Sequence, residues 1–307
     1  MAELNWSDGQ WQKVNDAITE AFGKASVSSA FLPLYGPVAG GTETVRNERL
    51  VPLPSVPGVG ITIGLNAFHS AVNLRLVNLT ANVELSSEQV ADETLTNALL
   101  TFRRAANILA LEQDRIVFAG FGRGFAYENS PAVVNRVDPQ TGLADLPARS
   151  GFNPLITAGR TLGQTIVTAV VTAMNALEGN SHPAPYACVL GDTLFVAVHD
   201  PSASLVLPAD RITPLLKGGP LLRSGQIDRD TGIVVSLASN SVDIVVGTPP
   251  GVQFLQRQGN ARFLFRVYER FALRIRDAVT PPVAGFRILP NAANIANEAN
   301  RLLALRA

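Results

Sequence analysis

The side chains that most often carry chemistry are sparse in this sequence. Three histidines stand at 69, 182 and 199, none in a spacing such as His-Glu-x-x-His, so a metal centre would have to be assembled from distant residues. Cys188 is the single cysteine, which excludes an intrachain disulfide and a multi-thiolate site and fits a reducing compartment. Its apolar surroundings suit a buried thiol and not a thiolate nucleophile. Gly120-Phe-Gly-Arg-Gly124 has the glycines of a phosphate loop. It lacks both the Gly-Lys-Ser/Thr ending and the full Gly-x-Gly-x-x-Gly pattern, so a flexible turn is the better reading. No Gly-x-Ser-x-Gly elbow occurs. A free-standing enzyme of unrecognised family therefore remains an alternative without a motif behind it.

Basic residues offer a second chemistry. Arg262, Arg266, Arg270, Arg274 and Arg276 fall on one phase of a single stretch, where guanidinium groups read phosphates, bridge subunits through carboxylates, or are solvated. Lys plus Arg and Asp plus Glu balance at 25 each, so the whole chain exerts no long-range pull on a polyanion. None of the three phenylalanines of this stretch, Phe263, Phe265 and Phe271, shares the arginines' phase, which favours the solvated or inter-subunit reading over a nucleic-acid groove.

Behind these residues stands a chain of 307 residues, 47% apolar, long enough for one large domain or two ordinary ones. Its first residues lack the basic and apolar regions of a secretory signal, so a cytoplasmic location is expected. The most apolar helical stretch, Leu162 to Leu177, is about 16 residues long and carries Gln164 and Asn175. That falls short of a bilayer span and predicts a buried helix, with no membrane partner.

Trp11, Val14, Ile18 and Phe22 recur at three- and four-residue steps and predict an amphipathic helix from Asp8 to about Lys24. Pro/Gly-rich runs follow over Val27 to Gly41 and Val51 to Gly64, and Ala71 to Leu85 alternates like a half-buried strand. Ser86 and Gln89 have the form of a capping box, expected to open a long helix ending near Leu111. Tyr186 to Val198 reads as a strand leading into an exposed loop, His199 to Ser204. Gly232 to Ala238 and Val242 to Val246 read as a hairpin through Ser239-Asn240-Ser241. Arg262 to Arg276 is the clearest strand, with Phe263, Phe265, Val267, Phe271, Leu273 and Ile275 opposite the arginines. A modest apolar stripe over Ala292 to Ala307 closes the chain.

This order, with particular residues in it, resembles the encapsulin nanocompartment shell proteins, the linocin/bacteriocin-like family related to tailed-phage major capsid proteins. Gln10-Trp-Gln-Lys-Val14 followed by Phe31-Leu-Pro-Leu-Tyr-Gly-Pro37 resembles the family's opening helix and Gly-Pro strand. Glu112-Gln-Asp-Arg-Ile-Val-Phe-Ala-Gly120 is similar to the stretch closing its long helix. Tyr186-Ala-Cys-Val-Leu190, Leu216-Lys-Gly-Gly219, Ile233-Val-Val-Ser236, Val242-Asp-Ile-Val-Val-Gly247 and Phe263-Leu-Phe-Arg-Val-Tyr-Glu-Arg-Phe271 occur in the family's order. The likeness spans roughly residues 6 to 280. The segment 127–159 and the tail after Pro281 are longer than usual for the family.

The resemblance implies an α+β chain of the tailed-phage major capsid (Hong Kong 97 phage-type) fold, with a core P-domain, an extended E-loop and an apical A-domain. Its expected divisions are an N-terminal helix and strand over 1–45, the E-loop over 46–77, and P-domain with the long helix over 78–125. The A-domain takes 126–247, P-domain return strands 248–290, and a C-terminal helical extension 291–307. The resemblance further implies an icosahedral homo-oligomeric shell around a cargo enzyme, ferritin-like or a dye-decolourising peroxidase, held by a C-terminal targeting peptide on the cargo. That peptide lies in the family against the N-terminal helix, which makes Trp11, Val14, Ile18 and Phe22 candidates for cargo docking or for packing of the helix. Ser29 and Pro33 replace charged residues often found nearby in the family. The loop with His199, Asp200, Ser202 and Ser204 resembles the family's five-fold pore loop, where Asp200 would form an acidic ring. Some members stack a flavin on a tryptophan beyond the arm; here the only tryptophans are Trp6 and Trp11, so no cofactor is expected. A phage or prophage major capsid protein is the nearest alternative. Net neutrality predicts a shell without nucleic acid.

Overall fold

A computed structural model describes residues 4–53, 62–66, 72–120, 133–135, 142–144, 161–201, 206–238, 240–259, 261–277 and 280–288. The chain forms two compact units, one from residues 1–142 with 240–279 and the other from 143–239 with 280–307.

The first unit begins with helix α1 (Asp8–Ala25). Ser7 caps it reciprocally with Gln10, and Asp8 and Lys24 sit at the ends that the helix dipole favours. Strand β1 (Leu34–Tyr35) follows, then an antiparallel excursion in which β2 (Thr44–Asn47) pairs with β5 (Val72–Arg75) and β3 (Arg49–Leu53) with β4 (Thr62–Asn66). Strand β6 (Val77–Ser86) shows the alternation its sequence predicts, with Val77, Leu79, Ala81, Val83 and Leu85 buried.

The capping box at Ser86 and Gln89 forms, but it opens only the short helix α2 (Ser87–Ala91). The long helix α3 starts at Thr96 and runs to Ala119, past the expected end near Leu111. Asp92 accepts hydrogen bonds from Thr94 and Thr96 and so turns the chain before the second start. Gly120 then ends α3 with φ of 76°, a conformation that glycine adopts without penalty.

Strand β7 is Val133–Asn135, and two long strands return to this unit, β11 (Val242–Gln258) and β12 (Arg262–Ile275). The five-stranded sheet has the order β1-β11-β12-β6-β7. Phe265, Val267, Phe271 and Leu273 on one face of β12 are buried, as the alternation predicts, and α1 and α3 pack together beside this sheet.

In the second unit a four-stranded sheet has the order β13-β10-β8-β9, from Val283–Arg287, Thr231–Ser236, Tyr186–Leu190 and Leu221–Arg223 respectively. Helix α4 (Leu162–Gly179) buries Ile166, Val170, Ala173 and Leu177 in one cluster with Tyr186, Cys188, Leu190 and Val234. The buried helix and buried thiol are thus as the composition suggests.

Two readings need correction here. Tyr186 to Val198 is not one strand: after β8 a sharp turn at Gly191 starts helix α5 (Asp192–His199), followed by α6 (Pro208–Ile212). Its apolar residues satisfy either period over so short a run, and Leu194 and Val198 lie one helical turn apart inside the core. The hairpin expected from 232–238 and 242–246 does not form either. Strand β10 pairs with β8 and β13, while β11 pairs with β1 and β12. The true hairpin is β11 with β12. The C-terminal stripe 292–307 and most of 127–159 lie outside the described residues.

Candidate functional site

Helix α1 presents two different faces. Val14 and Ile18 are fully buried, Phe22 nearly so, and Trp11 is half-buried. Burying side chains of this size is worth about 1.5–3 kcal/mol each. Trp6, just ahead of the helix, stacks on Phe265 with ring centroids 5.0 Å apart, meets Trp11 edge-on at 5.1 Å, and donates its indole N–H to the Val90 carbonyl at 3.0 Å. The apolar stripe is therefore packed within its own unit. What the helix shows outward is polar: Gln12, Asp16, Glu20 and Lys24, the last two ion-paired. A recess of about 470 Å³ opens beside them, lined by Glu20, Ala21, Lys24 and Ala25 of α1 and by Arg103 and Asn107 of α3.

The turn after α1 is held by a carboxylate that sequence reading did not single out. Asp114, buried on α3, accepts hydrogen bonds from the Val27 N–H at 2.7 Å and the Ser28 N–H at 2.8 Å. The Ser28 hydroxyl donates at 2.6 Å and the Ser26 hydroxyl at 3.1 Å. Burial still pushes its carboxyl above the usual range, against these donors. Glu269 is buried in the same unit, on the apolar phase of β12, and is pushed well up by burial and then by the charge of Asp114. A signal for it existed in the sequence: Glu269 interrupts the apolar alternation between Val267 and Phe271.

The arginine row is divided in its employment. Arg274 is buried and binds Asp243, its register partner on β11, through two bonds of 2.8 and 2.6 Å, with Tyr35 4.4 Å from its guanidinium carbon. Arg262 pairs with Glu84 at the surface. Neither solvation nor a partner subunit explains Arg274; its carboxylate comes from the same sheet, from a residue 31 positions away in sequence.

His199 is the last residue of α5, exposed, with its Nδ1 2.8 Å from the Phe195 carbonyl, and Asp200 is the exposed residue that ends the helix. Ser202 and Ser204 lie outside the described residues. The structure brings Trp11, Val14, Ile18 and Phe22 together on one helix and places His199 and Asp200 in succession in the second unit. Among the described residues no group of histidine, cysteine and carboxylate side chains is arranged to hold a metal ion, and no helix is long and apolar enough to cross a membrane.

Comparison with known structures gives this fold its class. The virus-like particle of Pyrococcus furiosus matches 91% of this chain and 99% of its own, with a TM-score of 0.61 at 13% identity. The capsid of the Myoviridae phage XM1 matches 84% and 90%, with a TM-score of 0.52 at 14% identity. The protein has the tailed-phage major capsid fold.

Sequence comparison narrows the class. Residues 146–272 match the family described as encapsulating protein for peroxidase. The type 1 encapsulin shell protein EncA of Myxococcus xanthus is 25% identical over 289 residues, covering 91% of this chain and 93% of that protein. Over these spans the chain is similar to encapsulin shell proteins.

Proposed function

We propose that this protein is the subunit of a closed icosahedral shell that encloses a cargo enzyme in the cytoplasm and has no catalytic role of its own. The observation that carries this reading is the likeness to an encapsulin shell protein over nine-tenths of both chains, on a capsid fold. The first unit serves as the P-domain with its arm, and the second as the apical domain. The enclosed enzyme is ferritin-like or a dye-decolourising peroxidase, and its C-terminal peptide docks beside α1. Because the stripe Val14, Ile18 and Phe22 is spent on packing, the docking contacts fall to Trp11 and to the polar side of the helix with its adjoining recess. His199, Asp200, Ser202 and Ser204 line the five-fold pore, where a ring of Asp200 carboxylates favours cations.

Expression of the chain alone, followed by size exclusion and negative-stain imaging, tests this. Hollow particles tens of nanometres across are expected. A uniform monomer or dimer at micromolar concentration overturns the reading. A prophage capsid protein is the second reading, favoured by the phage-capsid likeness, and a stoichiometric nuclease-protected nucleic acid in the particles would select it.

A further inference from the structure

Two carboxyl groups lie buried in the first unit, Asp114 on α3 and Glu269 on β12, and neither holds an ion pair among the described residues. Glu269 shares the phase of Phe265, which meets Phe102 of α3 edge-on at 5.4 Å, so its side chain enters the layer between helix and sheet. There the charge of Asp114 reaches it, while its own Oε2 is buried without a hydrogen-bond partner. The strands beside Glu269 offer no counter-charge. Leu79 stands opposite it on β6, between Val77 and Ala81, and β11 passes it at the irregular stretch from Thr248 to Gly251. Other charges on the elements packed against β12 are paired or distant. Glu112 holds Arg115 on α3, Glu84 of β6 holds Arg262, and Asp243 of β11 holds Arg274. Arg257 of β11 covers Phe263 near the hairpin end, Glu88 of α2 lies beyond Ser86 at the Arg262 end of the β6 register, and Arg75 of β5 lies beyond its Phe271 end. Arg103 and Arg104 of α3 are exposed, and Arg266 and Arg270 stand on the opposite phase of β12.

The four donors to Asp114 all come from Ser26, Val27 and Ser28, so this carboxylate is the main hold on the chain as it leaves α1. Little else fixes the segment: the 3-10 turn Ser28–Ala30 closes with three backbone bonds of 3.0, 3.2 and 3.4 Å. Phe22 before it and Phe31 after it are both buried, and Phe31 stacks on Phe118. The stretch between these two anchors can therefore open without moving either. Val27 and Ser29 are half-buried and Ala30 is exposed, which makes this stretch a thin cover, whereas the other walls are α3 itself and the five-stranded sheet. Two like charges this close cannot both ionise in a dry interior. Water reaches them where local stability is lowest. We infer that Glu269 and Asp114 form a proton-controlled latch on the end of α1: with Glu269 neutral, Asp114 holds Ser26 to Ser28 closed, and loss of that proton at alkaline pH opens the stretch between Phe22 and Phe31. Lys24 and Ala25 lie in that stretch and line the recess beside α1, so the recess changes with pH, a consequence for cargo that rests on the docking reading above.

Hydrogen exchange on the full-length protein tests the latch, read at the Val27 and Ser28 amides from about pH 6 to about pH 10 and corrected for intrinsic rates. In the parent, protection at both amides falls by up to about tenfold per pH unit once Glu269 ionises, the limit for one released proton, while amides of β12 and α3 stay protected. Glu269→Gln keeps the shape of the neutral carboxyl and cannot ionise, so its protection stays flat over the same range. Should that variant fail to fold, Glu269→Met, which suits the apolar phase between Val267 and Phe271, gives the same readout. Protection that ignores pH in the parent, or that falls equally in the variant, overturns the latch. Loss of β12 protection in step with the turn does so too, because it marks unfolding of the whole unit. Co-expressed cargo separates the two readings. Cargo lost from the parent above the transition and kept by Glu269→Gln supports both, whereas cargo kept while the two amides open leaves the latch in place and overturns docking at the recess.

Discussion

Replacing Asp114 with alanine removes the acceptor for four hydrogen bonds at the end of α1. The two serine hydroxyls find other partners: Ser26 Oγ already lies 3.0 Å from Ser29 Oγ and 3.3 Å from Ser28 Oγ. The Val27 and Ser28 amides do not, and each stranded buried N–H costs about 1–3 kcal/mol. The sum, roughly 2–6 kcal/mol, is reduced because burial disfavours the Asp114 charge. A net loss of about 2–4 kcal/mol remains. Asp114→Asn keeps one oxygen for the donors and loses about half as much. Denaturant unfolding followed by tryptophan fluorescence measures it cleanly, since the only tryptophans, Trp6 and Trp11, lie in the cluster against Phe265. Hydrogen exchange adds a local readout: the Val27 and Ser28 amides, protected in the parent, exchange fast in Asp114→Ala. A loss below about 0.5 kcal/mol, with both amides still protected, would refute the claim that this carboxylate holds the turn.

Other expectations follow from the same geometry. Burial and Asp114 raise Glu269 above its unfolded value near 4.5, so the native state binds the extra proton. Stability is then full below about pH 4.5 and falls as pH rises through the folded value, by at most about 1.4 kcal/mol per pH unit. Glu269→Gln should flatten that fall and melt higher than the parent at alkaline pH; an unchanged pH profile contradicts it. Phe22→Ala empties a buried site and should cost about 3–5 kcal/mol and weaken assembly. Shells that form normally but lose co-expressed cargo would instead assign Phe22 to docking. Asp200→Lys should leave shells intact and slow cation entry, and unchanged flux would remove Asp200 from the pore.

Much of this protein was legible in its sequence because the governing rule was local. The stripe Trp11, Val14, Ile18 and Phe22 has helical period, and the buried helix α4 and the alternation of β6 and β12 follow from hydrophobic spacing alone. The ordered motifs from Gln10 to Phe271 carried the resemblance to encapsulin shell proteins, and with it the expected capsid fold. Where two periods competed, spacing failed: the apolar run after Leu190 became helix α5, because Leu194 and Val198 reach the core one turn apart. Partner choice across the chain was decided only in three dimensions. The strands flanking Ser239-Asn240-Ser241 look like a hairpin, yet β10 joins β8 and β13 while β11 joins β1 and β12. Asp114 meets the turn after α1 from 86 residues away, and Arg274 finds Asp243 across a register that no local pattern encodes. Side-chain periodicity is written in neighbouring residues, whereas the pairing of buried charges depends on which distant strands and helices the hydrophobic faces bring together.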